Sequence, residues 1–273
     1  MAIFIGSDEE LLPLTRSSRE IENKTGAIVI SNPIDVVSKA GDKWKTYEFL
    51  RENNLPYADS SLPQDQDKFI REYGFPIVVK PREGHGSLHF YIVNNVKELD
   101  HAESAIRNAG WRPLLQEYLK GDDSEFTTGV TVNNEGKVMS SISMKKTLKS
   151  GQTYKAFIDN YKDVRKSAEQ VAVKIKARGA INIQAKTVNG KPKIFEINAR
   201  FSATSPLRAV AGINEPDIVF RNMVLDEKIK IKEYKKLICM RYWNEVYVPY
   251  STYKKAEHDR KIIHSDSFIP DYF

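Results

Sequence analysis

The sequence predicts a mixed α/β fold made of two lobes. Its 273 residues suffice for about two domains or lobes, each with a hydrophobic core of its own. Short apolar runs typical of strands alternate along the chain with longer segments of helical spacing, which is the pattern of an α/β protein. Hydrophobic residues make up 41% of the chain and charged residues 29%, as in folded globular proteins.

The amino-terminal part predicts a strand, a helix and a second strand. The first strand lies in MAIFIG, one continuous helix runs from Asp8 and ends at Gly26, and the second strand is AIVI. Asp42 is a suitable N-cap for the next helix, which Pro56 ends. The segment LPYADSSLPQD, with two prolines and small polar residues, then predicts a linker.

The remaining apolar patterns predict further strands, helices and two hairpins. Strands are expected in PIVVKP, LHFYIV and LLQEYL, and helices over residues 64–73 and 96–109 and in DVRKSAEQVAVKIKAR. Hairpins are expected around NNEG and around Asn189-Gly190. The alternation of Lys and Ile in DEKIKIKEYKK predicts an edge strand with exposed lysines, and CMRYWNEVYV predicts a last strand.

Charge, cysteine content and hydropathy narrow the function classes. The net charge of +6 suits nucleotides, acidic metabolites or nucleic acid, but no nucleic-acid-binding motif accompanies the basic segments. The single cysteine, Cys239, excludes an internal disulfide, and we expect a buried structural thiol. The apolar runs are far shorter than the roughly 20 residues of a membrane span, and the amino terminus lacks an export signal. We therefore expect a cytoplasmic protein that binds neither membranes nor nucleic acid.

The segment KIFEINARFSATS carries the strongest signal for a functional site. Because side chains alternate along a strand, Glu196 and Asn198 should point one way, and Phe195 and Ile197 should point into a core. If Gln184 on the neighbouring strand shares the face of Glu196, the site has three oxygen ligands. Such hard donors suit Mg²⁺.

The turn at Asn189-Gly190 decides whether Gln184 shares that face. A two-residue turn would pair Gln184 with Phe195, on the wrong face. A three-residue loop with Gly190 as a left-handed bulge would pair Gln184 with Glu196 instead. We predict the bulged loop, and with it the three-ligand site.

Two lysines and a glycine-rich turn are candidates for phosphate binding. Lys80 ends an apolar strand, REGHGS with Gly84 and Gly86 follows it, and Lys43 follows Asp42 at a helix start. Glycine backbone can approach a phosphate closely and offer N–H groups, while lysine adds positive charge. Taken singly, each feature is also typical of an ordinary hairpin or helix start. The segment LLQEYLKGDDSEF is likewise either a strand with a solvated acidic turn or a nucleotide clamp.

The order of these segments resembles the ATP-grasp superfamily. DK opens a helix, FPIVVKP precedes a glycine-rich loop, QEYLKG is followed by EF, and GAINIQ precedes FEINARFSATSPLRAVAG. The chain most resembles the large subunit of carbamoyl phosphate synthase and its short relatives, and is similar more distantly to biotin carboxylase. The last two segments are the specific part, because the family has Gln, Glu, Asn and Arg at the same relative places.

The resemblance implies a role for each candidate residue. Gln184, Glu196 and Asn198 would bind two Mg²⁺ ions, or Mn²⁺, with Glu196 bridging both. Arg200 would steady the γ-phosphate of ATP and, with Lys80, act as a catalytic residue. Residues that would bind ATP are the basic Lys43 and Lys80, the loop residues Gly84, Gly86 and Ser87, the adenine-binding hinge Glu117, Tyr118 and Leu119, and the ribose-binding Glu125. Lys145 or Lys146 is placed near the substrate, although a solvated strand face is an equal alternative.

The implied activity is that of an ATP-dependent carboxylate–amine or carboxylate–ammonia ligase that forms an acyl phosphate and releases ADP and phosphate. The alternative is a non-catalytic or partner-dependent ATP-binding subunit of a larger ligase. The intact set of Gln184, Glu196, Asn198 and Arg200 favours the first. The substrates would be a small-molecule carboxylate and an amine.

The resemblance also divides the chain. Residues 1–41 would form a truncated Rossmann-like (pre-ATP-grasp) segment, and residues 42–273 the ATP-grasp domain, with an amino-terminal lobe over 42–118 and a carboxyl-terminal lobe over 119–273. Because related enzymes have more strands in the first segment, we expect a homo-oligomer or a partner chain to cover its sheet edge.

Overall fold

The computed structural model describes residues 1–84, 88–120, 125–149, 152–242, 246–261 and 267–269. The chain divides into two units, Met1–Cys239 and Met240–Phe273. The second unit contains helix α10 (Tyr250–Asp259) and an isolated bridge between Tyr247 and Phe268. All candidate site residues belong to the first unit. The lobe boundaries proposed at residues 41 and 118 remain predictions.

The amino-terminal segment contains two parallel strands and two helices where one helix was expected. Strands β1 (Ala2–Phe4) and β2 (Ile28–Ile30) pair in parallel. Between them lie α1 (Asp8–Arg16) and α2 (Ser18–Thr25). The prediction of one continuous helix is therefore wrong, because the chain leaves helical geometry at Ser17. Helix α1 packs against the third helix and α2 against β2, so the break lets each half cover a different element.

Two helices follow β2, of which the sequence patterns indicated only the second. Helix α3 (Ile34–Ala40) buries Val36 and Val37 and precedes α4 (Lys43–Glu52). The predicted cap of α4 is confirmed, since the Asp42 carboxylate accepts hydrogen bonds from the backbone N–H groups of Trp44 and Lys45. Asp42 also pairs with Arg82 at 2.6 Å, which ties the start of α4 to the loop after β4.

A four-stranded antiparallel sheet has the strand order β3-β6-β4-β5. Its strands are β3 (Ser60–Ser61), β4 (Ile77–Pro81), β5 (Tyr91–Val93) and β6 (Pro113–Glu117). A 3₁₀ turn, Pro63–Asp65, leads into α5 (Gln66–Tyr73), and α6 (Val96–Asn108) follows β5. Ile77 and Val79 belong to a core with residues of α5 and α6. Because side chains alternate along a strand, Val78 and Lys80 face the opposite side of this sheet.

The second sheet has six strands in the order β11-β10-β7-β8-β9-β12. These are β7 (Glu125–Val132), β8 (Val138–Lys149), β9 (Gln152–Ile158), β10 (Gly179–Val188), β11 (Lys191–Asn198) and β12 (Leu237–Met240). Helix α7 (Lys162–Lys174) packs on β7 and β8 and shares a core with the aliphatic residues of β10 and β11. Helices α8 (Ser205–Val210) and α9 (Glu215–Met223) follow β11.

The prediction of an edge strand over residues 226–236 is wrong, since these residues form neither helix nor strand. Their alternation has another cause: Ile229 and Ile231 pack against a core that includes Met139, while the intervening lysines are exposed. The backbone N–H of Ile231 donates to Met139 O at 2.8 Å.

Cys239 is half-buried rather than fully buried. No helix in the described ranges is long and apolar enough to span a membrane.

Candidate functional site

A cleft of about 520 Å³ is lined by residues of both larger sheets. The four-stranded sheet contributes Lys80 and Gln116, and the six-stranded sheet contributes Glu125, Gln184 and Glu196. The predicted site residues that line the cleft are Lys43, Lys80, Gly84, Glu117, Tyr118, Leu119, Glu125, Gln184, Glu196 and Arg200. Asn198 is not among the lining residues but contacts Glu196, and Gly86 and Ser87 fall outside the described residues.

The β10–β11 hairpin brings Gln184 opposite Glu196, but not through the predicted loop. Its turn has two residues, Asn189 and Gly190, with φ angles of 51° and 75°, and the prediction of a three-residue bulged loop is wrong. The register instead shifts farther along the ladder, where Ala185 pairs with Ile194 and Gln184 with Glu196.

Phe195 is the residue that this β-bulge leaves without a partner. The expectation that Phe195 points into a core is therefore wrong, because it lines the cleft beside Glu196. Ile197 is buried in the core as expected. The bulge thus turns two consecutive side chains, one aromatic and one acidic, toward the same space.

The predicted cation ligands are adjacent on this face. Asn198 Nδ2 donates to Glu196 Oε1 at 3.1 Å, and Gln184 lies across the ladder from Glu196. Within the described ranges, no three His, Cys, Asp or Glu side chains are grouped closely enough to hold a metal ion. One carboxylate and two carboxamides leave most of a coordination shell to other oxygens. This donor set fits Mg²⁺ that binds together with nucleotide phosphates and water.

Lys146 is a cleft residue for which the sequence offered only an ambiguous indication. Its Nζ lies 2.9 Å from Glu125 Oε1 and 2.9 Å from Gln184 Oε1, and the side chain is buried. Lys145, its neighbour on β8, does not line the cleft. Of the two candidate lysines, Lys146 therefore faces the site and joins the predicted ribose-binding acid to a predicted metal ligand.

Lys80 is almost completely buried, at 5% exposure. Its Nζ donates to Gln116 Oε1 at 2.9 Å and lies 5.5 Å from the centre of the Phe195 ring. Burial, and next the charge of Lys43, lower the pKa of Lys80 to about 7, while Glu196 and Glu125 act in the opposite direction. An anion that enters the cleft would favour the protonated form of Lys80.

Lys43 is held at the mouth of the glycine-rich turn. Its backbone N–H donates to Arg82 O at 2.9 Å, and its Nζ donates to Gly84 O at 2.8 Å. Burial alone would raise the pKa of Asp42, but the Arg82 guanidinium and the capping N–H groups outweigh it and lower that pKa. Gly84 has a φ of 112°, which strongly favours glycine at this position.

The predicted hinge is anchored by Glu117. The Glu117 N–H donates to Asp59 O at 2.9 Å, and the Glu117 carboxylate accepts from Asp59 N–H at 2.8 Å and pairs with Lys193. Tyr118 and Leu119 follow and line the cleft. Apolar side chains complete this part of the wall and suit a flat aromatic base: Val78, Ile92, Trp111 and Leu148.

Arg200 is paired with a residue that the sequence did not indicate. Its Nε and Nη2 donate to Asp8 Oδ1 and Oδ2, each at 2.6 Å, and its Nη1 donates to Phe201 O at 3.0 Å. Arg200 lines the cleft, whereas Asp8 does not. The carboxylate at the start of α1 therefore holds one edge of a guanidinium whose side chain borders the site.

A buried ion pair supports the sheet behind the candidate ligands. Arg208 and Glu215 meet at 2.8 Å with side chains 0% and 2% exposed. Arg208 also donates to Asn182 Oδ1 at 2.6 Å and to Thr127 Oγ1 at 3.0 Å. Gly129 lies directly against the pair, since a Cβ there would fall 1.7 Å from Glu215 Oε1. Sequence patterns gave no indication of this network.

Comparison with known proteins agrees with this architecture. A family profile described as ATP-grasp in the biosynthetic pathway with Ter operon matches residues 112–246. The carbamoyl phosphate synthase large chain of Helicobacter pylori strain J99 is 24% identical over 244 residues, which is 83% of this chain and 22% of that protein. Mycoplasma genitalium protein MG011 is 30% identical over 132 residues, 48% of this chain and 43% of that protein. The chain thus spans about a fifth of the length of the synthase, by the 22% coverage.

Solved structures show the same fold. The biotin carboxylase domain of Hydrogenobacter thermophilus 2-oxoglutarate carboxylase, in complex with MgADP, ADP and bicarbonate, matches with a TM-score of 0.71. That match has 19% identity and covers 88% of this chain and 58% of that one. N5-carboxyaminoimidazole synthase from Aspergillus clavatus, with ADP and 5-aminoimidazole ribonucleotide, matches with a TM-score of 0.67 at 15% identity, over 91% of this chain and 68% of that one.

The family profile, the sequence relatives and the solved structures together support an ATP-grasp superfamily protein, as the resemblance in the sequence indicated. The predicted mixed α/β fold is confirmed, and the structure adds that residues of two sheets line one cleft.

Proposed function

We propose that the chain is an ATP-dependent ligase that joins a carboxylate to an amine or ammonia. The observation that carries the proposal is the convergence in one cleft of three cationic side chains and the predicted metal face. Lys43, Lys80 and Arg200 come from three separate parts of the chain and line the same space as Gln184 and Glu196. Such a set suits the transfer of a phosphoryl group from a nucleotide.

The chemistry requires activation of the carboxylate. A carboxylate does not react with an amine at neutral pH, because oxide is a poor leaving group. Transfer of the γ-phosphoryl group of ATP to a carboxylate oxygen breaks the bond to ADP and gives an acyl phosphate. The amine then attacks the acyl carbon, phosphate leaves with the oxygen, and the nitrogen loses a proton.

The basic residues would supply most of the electrostatic stabilisation. Phosphoryl transfer needs in-line positioning and positive charge around the transferred group rather than covalent chemistry by the protein. Lys80 and Lys43 would bind phosphate oxygens from the side of the glycine-rich turn. Arg200 would contact the γ-phosphate and the acyl phosphate, and Asp8 would hold its guanidinium in one orientation.

Gln184, Glu196 and Asn198 would hold two Mg²⁺ ions, or Mn²⁺ ions instead of Mg²⁺. Bound Mg²⁺ neutralises charge on the phosphate oxygens. Lys146 Nζ donates a hydrogen bond of 2.9 Å to Gln184 Oε1. The ammonium group therefore shields this oxygen until a cation binds. Half a turn of the Asn198 amide would present its Oδ1 instead of Nδ2.

The nucleoside would bind at the hinge end of the cleft. Backbone groups of Tyr118 and Leu119 would pair with the adenine edge, with the apolar side chains of the wall against its faces. The carboxylate of Glu125 would accept the ribose hydroxyl groups, and Lys146 holds it at 2.9 Å.

A partner surface is proposed at the small parallel sheet. β1 and β2 pair only with each other among the described strands, and Phe4 and Ile28 are 41% and 36% exposed. A second copy of the chain or a partner chain would cover this edge.

An acyl-phosphate trap tests the ligase without knowledge of the amine. The protein is incubated with Mg²⁺, ATP and a panel of carboxylates, with hydroxylamine as the nucleophile, and both ADP and hydroxamate are measured. We expect one class of carboxylate to give the two products in equal amounts, and Glu196→Ala to give neither. ADP without hydroxamate for every acid would count against an acyl phosphate.

A further inference from the structure

A second cavity, of about 470 Å³, shares no lining residue with the nucleotide cleft. It is formed by the end of α1, the start of α2 and the segment that follows β2, together with Arg178 just before β10. All of these elements belong to the first unit. In open α/β sheets, ligands bind beyond the carboxyl ends of parallel strands, and this cavity lies beyond the carboxyl end of β2.

Among the described residues, all charged side chains that line the cavity are positive. Arg16, Arg19 and Arg178 line it, and no acidic side chain does among the described residues. In the part of the chain that the structure describes, the guanidinium groups of Arg16 and Arg19 have no hydrogen-bond or ion-pair partner. Three like charges around one space repel each other, and an anion between them would relieve the repulsion.

Hydroxyl groups stand beside these cations. Thr15, Ser18 and Ser31 line the same cavity. Thr15 is only 7% exposed, and its Oγ1 is buried without a hydrogen-bond partner in the described structure. Because solvent does not reach Thr15 Oγ1, the hydroxyl groups that can contact a ligand are those of the half-buried Ser18 and Ser31.

Three hydrogen bonds hold the side chain of Asn32, which lines the cavity. Asn32 Nδ2 donates to Ala180 O at 2.6 Å and to Ala199 O at 3.1 Å, and Asn32 Oδ1 accepts from the backbone N–H of Arg178 at 2.8 Å. This buried side chain therefore ties the segment after β2 to the six-stranded sheet. The same contact holds the backbone of Arg178 beside the cavity, so no ligand is required to position this residue.

We propose that this cavity binds a small molecule through an oxyanion group, phosphate or carboxylate, that Arg16, Arg19 and Arg178 contact. Guanidinium groups match the planar edges of both anions and bind them with charge-assisted hydrogen bonds. The volume, about 470 Å³, exceeds that of a single anion and suits an anion attached to a larger body. The cavity is separate from the nucleotide cleft, so the proposal stands whether or not the chain is a ligase.

Titration calorimetry of the full chain tests the proposal, with inorganic pyrophosphate and citrate as separate probes and without Mg²⁺. The double variant Arg16→Ala/Arg19→Ala removes two cavity charges from exposed positions. Lys68→Ala/Arg71→Ala removes the same charge from exposed positions of α5, away from both cavities. We expect binding to weaken at least about tenfold in the first variant and to be unchanged in the second.

The two probes separate the sources of the anion. Tighter pyrophosphate binding assigns the cavity to a phosphate group, and tighter citrate binding assigns it to carboxylates. Absence of binding by both probes, or an equal loss of affinity in both double variants, would overturn the proposal. If the double arginine variant does not fold, the single variant Arg16→Gln decides: several-fold weaker binding supports the site, and unchanged binding overturns it.

Discussion

Asp8 and Arg200 are joined by two hydrogen bonds of 2.6 Å although 192 residues separate them in the chain. Asp8 lies in the first turn of α1, where the helix dipole favours a carboxylate. Arg200 follows the strand that carries Glu196 and Asn198. The amino-terminal segment therefore contacts the candidate site directly, through the residue that we propose to bind the γ-phosphate.

Asp8→Asn should lower kcat/KM of the ligase by about ten- to hundredfold, because the amide oxygen of Asn accepts only one of the two guanidinium hydrogen bonds and its NH₂ group opposes the other donor. Steady-state kinetics with the acid found in the trapping experiment measure this. Glu10→Gln, on the same turn, serves as the control because it removes an equal charge from an exposed position. Equal effects of the two substitutions would show that Asp8 does not act through Arg200.

Lys80 should take up a proton when a nucleotide binds above neutral pH. Its pKa is about 7 in the free protein, so the side chain is mostly neutral at pH 8, and triphosphate charge would raise that pKa. We expect the measured binding enthalpy at pH 8 to change with the ionisation enthalpy of the buffer, and affinity to fall as pH rises above 7. Lys80→Met should remove the dependence on buffer, and its persistence would assign the proton elsewhere.

The same pKa has a consequence for stability. The folded pKa of Lys80 is below its unfolded value of 10.5, so the unfolded chain binds more protons between pH 7 and pH 10.5 and wild-type stability gains from Lys80 as pH rises. Lys80→Met should therefore stabilise the fold most near pH 7 and progressively less toward pH 10.5. Denaturant unfolding at pH 7 and pH 9.5 measures the change, and a constant difference would contradict it.

Gly129→Ala should destabilise the fold by at least about 3 kcal/mol, because a methyl group would separate or displace the buried Arg208–Glu215 pair. Gly6→Ala is the matched control, since nothing lies within 4 Å of a Cβ at that position. Denaturant unfolding of both variants measures the difference. A loss of stability no larger than that of the control would show that the helices bearing the pair move aside easily.

The sequence predicts which residues line the cleft better than it predicts the turn and the bulge that position them. Gln184 lies opposite Glu196 as predicted, but the cause is a bulge at Phe195 and not the predicted three-residue loop. A bulge needs no special residue, whereas turn geometry is indicated by Asn-Gly pairs. The Asn-Gly pair is typical of the two-residue turn that forms, and the prediction of a longer loop is wrong because no sequence pattern indicates the bulge within the ladder.

Long-range contacts account for most of what the sequence could not predict. The partners Asp8 and Arg200, and the partners Thr127 and Arg208, are far apart in the chain and occur in segments without a shared pattern. The helix break at Ser17 depends on what α1 and α2 pack against, which local propensity does not describe. The fold class, in contrast, follows from local periodicity and the order of elements.

The most direct test of the account is the thermal unfolding of the protein with a non-hydrolysable ATP analogue, with and without Mg²⁺, in wild type and Glu196→Ala. Ligand at a hundred times its dissociation constant should stabilise the fold by about 2.7 kcal/mol. We predict a shift in wild type that depends on Mg²⁺ and that Glu196→Ala loses. A shift that is equal in both proteins, or absent from both, would contradict a magnesium–nucleotide site at Glu196, and absence from both would favour a subunit that depends on a partner.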